Sequence, residues 1–207
     1  MRPIAVLAVV LLAALAINVE TTIVNVALPT LNSALGSSTR ELQWIVDAYN
    51  LSFAALVLAG GTIGDKYGRR GTLIAGLVLF AATSTAAALC TSTATLIGAR
   101  FAMGTSAALI YPTTLAIITD TFRDSHRRAG AIGAWGAVSG LGVATGPILG
   151  GALLERFWWG SLFLALTPAA VLAAALAAAV VPRSAAHTSP KLDRGGVLLS
   201  VLMLGAL

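Results

Sequence analysis

Gly61-Thr62-Ile63-Gly64-Asp65-Lys66-Tyr67-Gly68-Arg69-Arg70 sets four charges and three glycines into ten residues between two apolar runs. The runs extend from Trp44 to Ile63 and from Thr72 to Leu89. Each is long enough to cross a bilayer core of about 30 Å, which takes roughly 20 helical residues. A charged turn between two such runs reads as a tight hairpin loop at a membrane surface. Its three cations place it on the cytoplasmic side. The glycines and Asp65 add a specificity that topology alone does not need.

The rest of the chain agrees with a membrane setting. Of its 207 residues, 57% are hydrophobic and 10% charged, against about 25% charged in soluble domains. An integral membrane protein follows. The net charge of +5 would suit nucleic acid, but the cations sit in short loops between spans and form no basic soluble face. No nucleic-acid partner is expected. The single cysteine, Cys90, excludes an internal disulfide and a multi-cysteine metal site. His126 and His187 fall in separate polar loops and read as surface groups. The loops offer no nucleophile–base–orienter set and no phosphate cradle, so an enzyme is not indicated.

Read outward from the hairpin, the first span runs from Pro3 to near Pro29 and a short polar stretch follows from Leu31 to Leu42. The second and third spans flank the hairpin, and Cys90 to Thr95 is an uncharged turn. The fourth span runs from about Leu96 to Ile118, a charged loop from Asp120 to Arg128, and the fifth span from about Ala129 to Leu153. Trp158 and Trp159 read as interfacial anchors before the sixth span, Gly160 to Val181. The expected organisation is a six-helix transmembrane unit over residues 1–181, a cytoplasmic linker over 182–194, and the start of a seventh span over 195–207. Thirteen residues are too few to cross, so that run reads as truncated. With the amino terminus inside, ten cations fall on the inner side and two, Arg40 and Arg156, on the outer side, while Arg100 lies within a span. That bias decides the orientation.

Three groups of polar or small residues lie inside the spans. Glu20 is about seventeen residues into the first, where a lone carboxylate costs about 2.5–3.5 kcal/mol on insertion scales. It needs a partner, a water-filled cavity or a proton, which makes it a candidate for proton or substrate binding. Asn18, Thr22, Asn25 and Pro29 share one helical stripe, and Glu20 lies about 200° from Asn18 around the helix. Both faces are polar, so the first helix is expected to be enclosed by protein. Arg100 either snorkels to the interface or turns into the bundle to bias a carboxyl. Asp47 is a possible partner for it or an interfacial residue. Gly142, Gly146 and Gly150 recur every four residues with Pro147 beside them. The spacing suits close helix packing, a bend, or both.

These residues carry a resemblance. Gly61, Gly64, Asp65, Lys66, Gly68, Arg69 and Arg70 resemble the signature between the second and third helices of the major facilitator superfamily. Gly142 to Gly151 resembles its antiporter signature in the fifth helix, and Glu20 to Pro29 the first-helix signature of its fourteen-span drug/proton antiporters. Leu96, Arg100 and Gly104 resemble the fourth-helix signature assigned to proton coupling, although Met103 stands where glutamine is usual. Glu20 likewise stands where aspartate is usual. Leu192 to Gly196 resembles the lead-in to a seventh helix in the fourteen-span group.

The resemblance implies an all-α half-bundle of two inverted three-helix repeats working by alternating access. The carboxy-terminal half of the same protein would supply the other wall of the path. It implies a cytoplasmic gate of Gly61, Asp65, Gly68, Arg69 and Arg70, with Asp120 as the partner of Arg69. It implies an antiporter helix at Gly142, Gly146, Pro147 and Gly150, and a proton and substrate site at Glu20, Asn25 and Arg100. The expected activity is efflux of drug-like or antibiotic amphipathic compounds across the plasma membrane. It needs no cofactor, the proton gradient being the energy source. The alternatives are a metabolite carrier of the same architecture and a non-transporting half-protein.

Overall fold

Gly68 alone separates two helices, because its φ of +97° is a conformation that side-chain-bearing residues rarely adopt. Its N–H donates to the carbonyl of Gly64 at 3.0 Å and closes the first helix, while its own carbonyl accepts from Thr72 N–H at 3.1 Å and opens the next. The hairpin expected over ten residues is therefore a one-residue break, with Asp65 and Arg69 on the helical turns either side. This computed structural model describes residues 2–183. Among the described residues there are six helices and no strand: α1 Arg2–Leu35, α2 Thr39–Tyr67, α3 Arg69–Ala88, α4 Thr93–Thr121, α5 Ser125–Leu154 and α6 Ser161–Val180. All six are long and apolar enough to cross a membrane. The linker beyond Arg183 and the expected start of a seventh span lie outside the described residues.

The helices overrun the boundaries read from hydropathy, because polar residues cap helices as well as interrupt them. Pro29 sits inside α1, and the helix continues to Leu35, where Gly36 at φ +65° stops it. Asn32 bridges that stop by donating its amide to Ser37 O at 2.9 Å. Ser38 and Glu41 then form a reciprocal capping box that starts α2. Likewise Asp124 accepts from Arg127 N–H and starts α5 four residues before Ala129.

α2 packs on α4, α1 on α5, α3 on both α4 and α6, and α1 on α6 and α4. Exchanging α1, α2, α3 for α4, α5, α6 maps this set onto itself: α1 on α5 becomes α4 on α2, and α1 on α6 becomes α4 on α3. Two three-helix repeats produce that pattern, and an odd number of antiparallel helices per repeat inverts the second against the first. Leu73, Leu77, Phe80, Leu96, Met103, Ile110 and Phe163 fill the interior without exposure. Outward, Leu58, Val78, Phe101, Ile148 and Val171 are more than half exposed, an apolar coat that suits lipid and not water. Trp158 is exposed as an anchor would be, but Trp159 is buried, edge-to-face against Phe163 with centroids 6.3 Å apart. Trp159 is a packing residue, because α6 begins two residues after it and draws its ring inward.

Glycines set the helix spacing in the contacts between the two repeats. A Cβ on Gly142 would lie 2.8 Å from Asn18 Cβ, one on Gly150 would lie 3.1 Å from Ile23, and one on Gly146 would strike Thr22 Oγ1. The stripe therefore faces α1. Thr22 uses the closeness by donating to Val143 O at 3.1 Å. The α2–α4 contact, its counterpart by exchange, is spaced in the same way by Gly60 and Gly104.

Candidate functional site

Glu20 and Arg100 meet in the interior with no side-chain exposure. The carboxylate Oε1 accepts from Arg100 Nη1 and pairs with it. α1 delivers Glu20 on the side turned to α4, flanked by buried Val19, Ile23 and Val24. Leu96, Met103 and Gly104 are buried around Arg100 and fix it inward. The guanidinium is tethered twice more. Its Nε donates to Ile45 O at 2.9 Å, and its carbon lies 4.5 Å above the centroid of the Tyr49 ring. Of the two readings of Arg100, the structure realises the inward one, and Asp47 is exposed and takes no part.

The pair is incompletely satisfied. Glu20 Oε2, Arg100 Nη2 and the Tyr49 hydroxyl are buried with no hydrogen-bond partner among the described residues. A buried polar atom without a partner costs about 1–3 kcal/mol. Three around one ion pair mark a place that can take a proton, a water or a ligand group.

Tyr49 also lines a cavity of about 200 Å³ between α1, α2 and α4. Asn18 and Thr21 come to it from α1, Asn50 and Phe53 from α2, and Tyr111 from α4. Phe53 stands edge-on to Tyr111 with centroids 5.7 Å apart, and Tyr111 lies 4.8 Å from Trp135 of α5. Trp135 is held by donating its indole N–H to Thr114 Oγ1 at 3.0 Å. Sequence reasoning named Asn18 only as part of a polar stripe and missed Tyr49, Asn50, Phe53, Tyr111 and Trp135. The available signal was the polar or aromatic run Tyr49, Asn50, Phe53 inside an apolar span.

Asn25 is not brought to Glu20. It is exposed, as is Pro29, while Thr22 on the same stripe turns to α5. The expectation that protein encloses α1 on every side does not hold in the described residues, because α4 covers the Glu20 side and α5 the Asn18–Thr22 side while Asn25 and Pro29 stay exposed.

At the Gly68 end a second charge cluster forms. Arg69 sits between two carboxylates, with Nη2 2.8 Å from Asp65 Oδ1 and Nη1 2.6 Å from Asp120 Oδ2. Its Nη1 also donates to Ala116 O at 2.8 Å. Arg69 is 17% exposed and the two aspartates 45% and 43%, so the cation is the enclosed member. Arg70 reaches α6 and donates to Ala178 O. The cluster ties α2, α3 and α4 together, and Arg70 adds α6. Gly61 makes only ordinary contact, 3.6 Å from a built Cβ to Pro112.

Six membrane-length helices in a three-plus-three arrangement, with a buried ion pair and a charge cluster at one end, define a polytopic helical membrane protein. The chain belongs to the Major Facilitator Superfamily, whose family profile matches residues 10–206. Among curated proteins it is similar to the methyl viologen resistance protein SmvA of Salmonella typhimurium, 38% identical over 96% of this chain and 40% of that protein. It is 39% identical to the multidrug efflux pump LfrA of Mycolicibacterium smegmatis, over 94% of this chain and 38% of that one. It is 36% identical to the multidrug resistance protein Stp of Mycobacterium tuberculosis, over 92% of this chain and 36% of that one. The chain spans about two-fifths of the length of the curated relatives it matches.

Proposed function

We propose that the native protein is a proton-coupled exporter of amphipathic, drug-like compounds, antibiotics among them. It works by alternating access in the plasma membrane with its amino terminus in the cytoplasm. The observation that carries this reading is the Glu20–Arg100 pair, fully buried yet left with unpartnered polar atoms beside a mid-bundle cavity. A proton on Glu20 cancels the charge that holds Arg100 and leaves the guanidinium with Ile45 O and the Tyr49 ring. That gives the bundle two electrostatic states, and a ligand that prefers one of them shifts the balance. The ten-to-two distribution of cations supports the orientation. The relatives' names and their greater length support drug-like substrates and a second half that completes the path.

Everted membrane vesicles carrying the native polypeptide and given an acid interior test the coupling. They are expected to accumulate ethidium, and Glu20→Gln is expected to abolish accumulation while its amount in the membrane is unchanged. Full pH-driven accumulation by Glu20→Gln would remove Glu20 from the proton path.

The Asp65–Arg69–Asp120 cluster is proposed as a latch that holds the cytoplasmic side shut. Pairs this exposed contribute only about 0–1 kcal/mol each. Asp120→Asn is therefore expected to leave the melting temperature nearly unchanged and still raise the inward-open population several-fold. In a Cys90→Ser background, a cysteine introduced by Ile117→Cys beneath Arg69 reports this as faster alkylation. Equal alkylation rates with and without Asp120→Asn would rule the latch out.

A further inference from the structure

We propose that the Pro112 break in α4 is a hinge through which the Glu20–Arg100 pair acts on the Asp65–Arg69–Asp120 cluster, with Gly60 as its seat on α2. The hinge rests on the export reading, since it links the proton site to the latch, but its coupling is measured without any gradient.

α4 carries a member of each charged group. Arg100 lies twelve residues before Pro112 and Asp120 eight residues after it. Those separations are about 18 Å and about 12 Å along a helix that rises about 1.5 Å per residue. The segment before Pro112 is tied to α1 and α2, through Glu20, Ile45 O and the Tyr49 ring. The segment after it is tied to α3, through Arg69 on Ala116 O and Asp120. Pro112 stands inside the helix and has no N–H. The bond that residue 112 would give to Ala108 O is therefore missing, and the proline ring crowds the same carbonyl. At such a point two helical segments change their mutual angle at less cost than elsewhere.

The crowded carbonyl needs room, and α2 supplies it. A Cβ on Gly60 would strike Ala108 O, so that oxygen lies against a bare Cα. Gly61 follows against Pro112, with 3.6 Å from a built Cβ to the proline Cβ, and Gly64 against Thr113, with 3.0 Å from a built Cβ to Oγ1. No side chain of this α2 face obstructs a turn of the carbonyl. Thr113 keeps the break from unravelling by donating its hydroxyl to Leu109 O at 2.7 Å.

α5 shows what a fastened break looks like. Pro147 frees Val143 O in the same way, but there the Thr22 hydroxyl donates to the carbonyl at 3.1 Å and ties it to α1. Ala108 is buried, and its oxygen receives no side-chain donor among the described residues. A Cα–H contact holds a carbonyl less firmly than a hydroxyl does. Of these two breaks, the one in α4 is the freer to move, and it is the one that stands between the two charge groups. A change in the tethers of Arg100 then reaches Asp120 as a tilt of the segment after Pro112.

Cysteine alkylation reads this coupling in the purified native polypeptide in lipid nanodiscs, with Cys90→Ser and Ile117→Cys as the parent. Ile117 shares a cavity wall with Arg69 and Asp120, so the introduced cysteine reports on the latch. Glu20→Gln, which imitates the protonated carboxyl, is expected to raise the alkylation rate several-fold. Pro112→Ala restores the N–H, and in its presence Glu20→Gln is expected to produce less than half of that rise. Asp120→Asn acts after the break and is expected to keep its several-fold effect in the same background. A purely structural role for Pro112 would move both responses or neither, which is why the cycle is read and not one rate. Pro112→Ala is expected to melt at or above the parent, because proline is the least favourable residue in a helix interior. Pro112→Leu restores the N–H too and is expected to give the same pattern. An equal Glu20→Gln effect with and without Pro112→Ala would overturn the proposal. So would loss of the Asp120→Asn response, or a Glu20→Gln that leaves the parental rate unchanged. Failure of the export reading shows differently, as vesicles that do not accumulate ethidium under an acid interior although Glu20→Gln still speeds alkylation.

Discussion

Replacing Arg100 by leucine is expected to destabilise the folded bundle by about 3–5 kcal/mol, the usual consequence of deleting one member of a buried ion pair. Glu20 has no exposure and takes its one hydrogen bond from Arg100. Without the guanidinium the carboxylate is left with apolar neighbours. The same change also strips Ile45 O of its side-chain donor and Tyr49 of the cation above its ring. Replacing both residues by leucine is expected to recover most of the loss, because two apolar side chains leave no charge to compensate. Thermal unfolding of the two variants and the parent in the same detergent is the measurement. The double variant is expected to melt well above Arg100→Leu and to export nothing. If Arg100→Leu melts with the parent, the pair is not what holds α1 to α4.

How much of this was legible in the sequence depends on how locally each feature is encoded. The spans are local, since each needs only its own apolar residues, and all six were placed. Their ends were misread at Pro29 and Ala129, because hydropathy treats Asn32, Ser38 and Asp124 as interruptions when their side chains bind helix termini. The Arg69–Asp120 contact crosses fifty-one positions and was reached by resemblance, not by spacing. Arg100 was undecidable from its own span, because snorkelling and inward burial have the same local pattern. Only the arrival of Glu20 from α1 decides it. The aromatic cavity was only hinted at by Tyr49 and Asn50 in an apolar span, because Phe53, Tyr111 and Trp135 each look like ordinary apolar packing until three helices converge. The glycine stripe of α5 was visible as a close-packing face, but sequence does not say that α1 is what lies against it.

Gly104→Ala is expected to be strongly destabilising, although it adds a single methyl group. A Cβ there would strike Ser52 Oγ and Tyr49 O and lie 3.0 Å from Tyr49 C. Two of these atoms are backbone, so no rotamer change relieves the contact and α2 itself must move. Overpacking of this kind costs about 1–3 kcal/mol and more when backbone is struck. In a helix interior, alanine gains about 0.5–1 kcal/mol over glycine, so an unobstructed site should be stabilised. Gly98→Ala on the same helix meets nothing within 4 Å and is expected to melt at or above the parent. The contrast between the two variants isolates the contact from helix propensity. The consequence reaches the site, because the residue pushed away is the one whose ring lies over Arg100 and which lines the cavity. Gly104→Ala should therefore lower the melting temperature and, in whatever fraction remains folded, slow the accumulation of ethidium by acid-interior vesicles. Accumulation at the parental rate in a destabilised Gly104→Ala would mean that the seat of Tyr49 is not set by the α2–α4 contact.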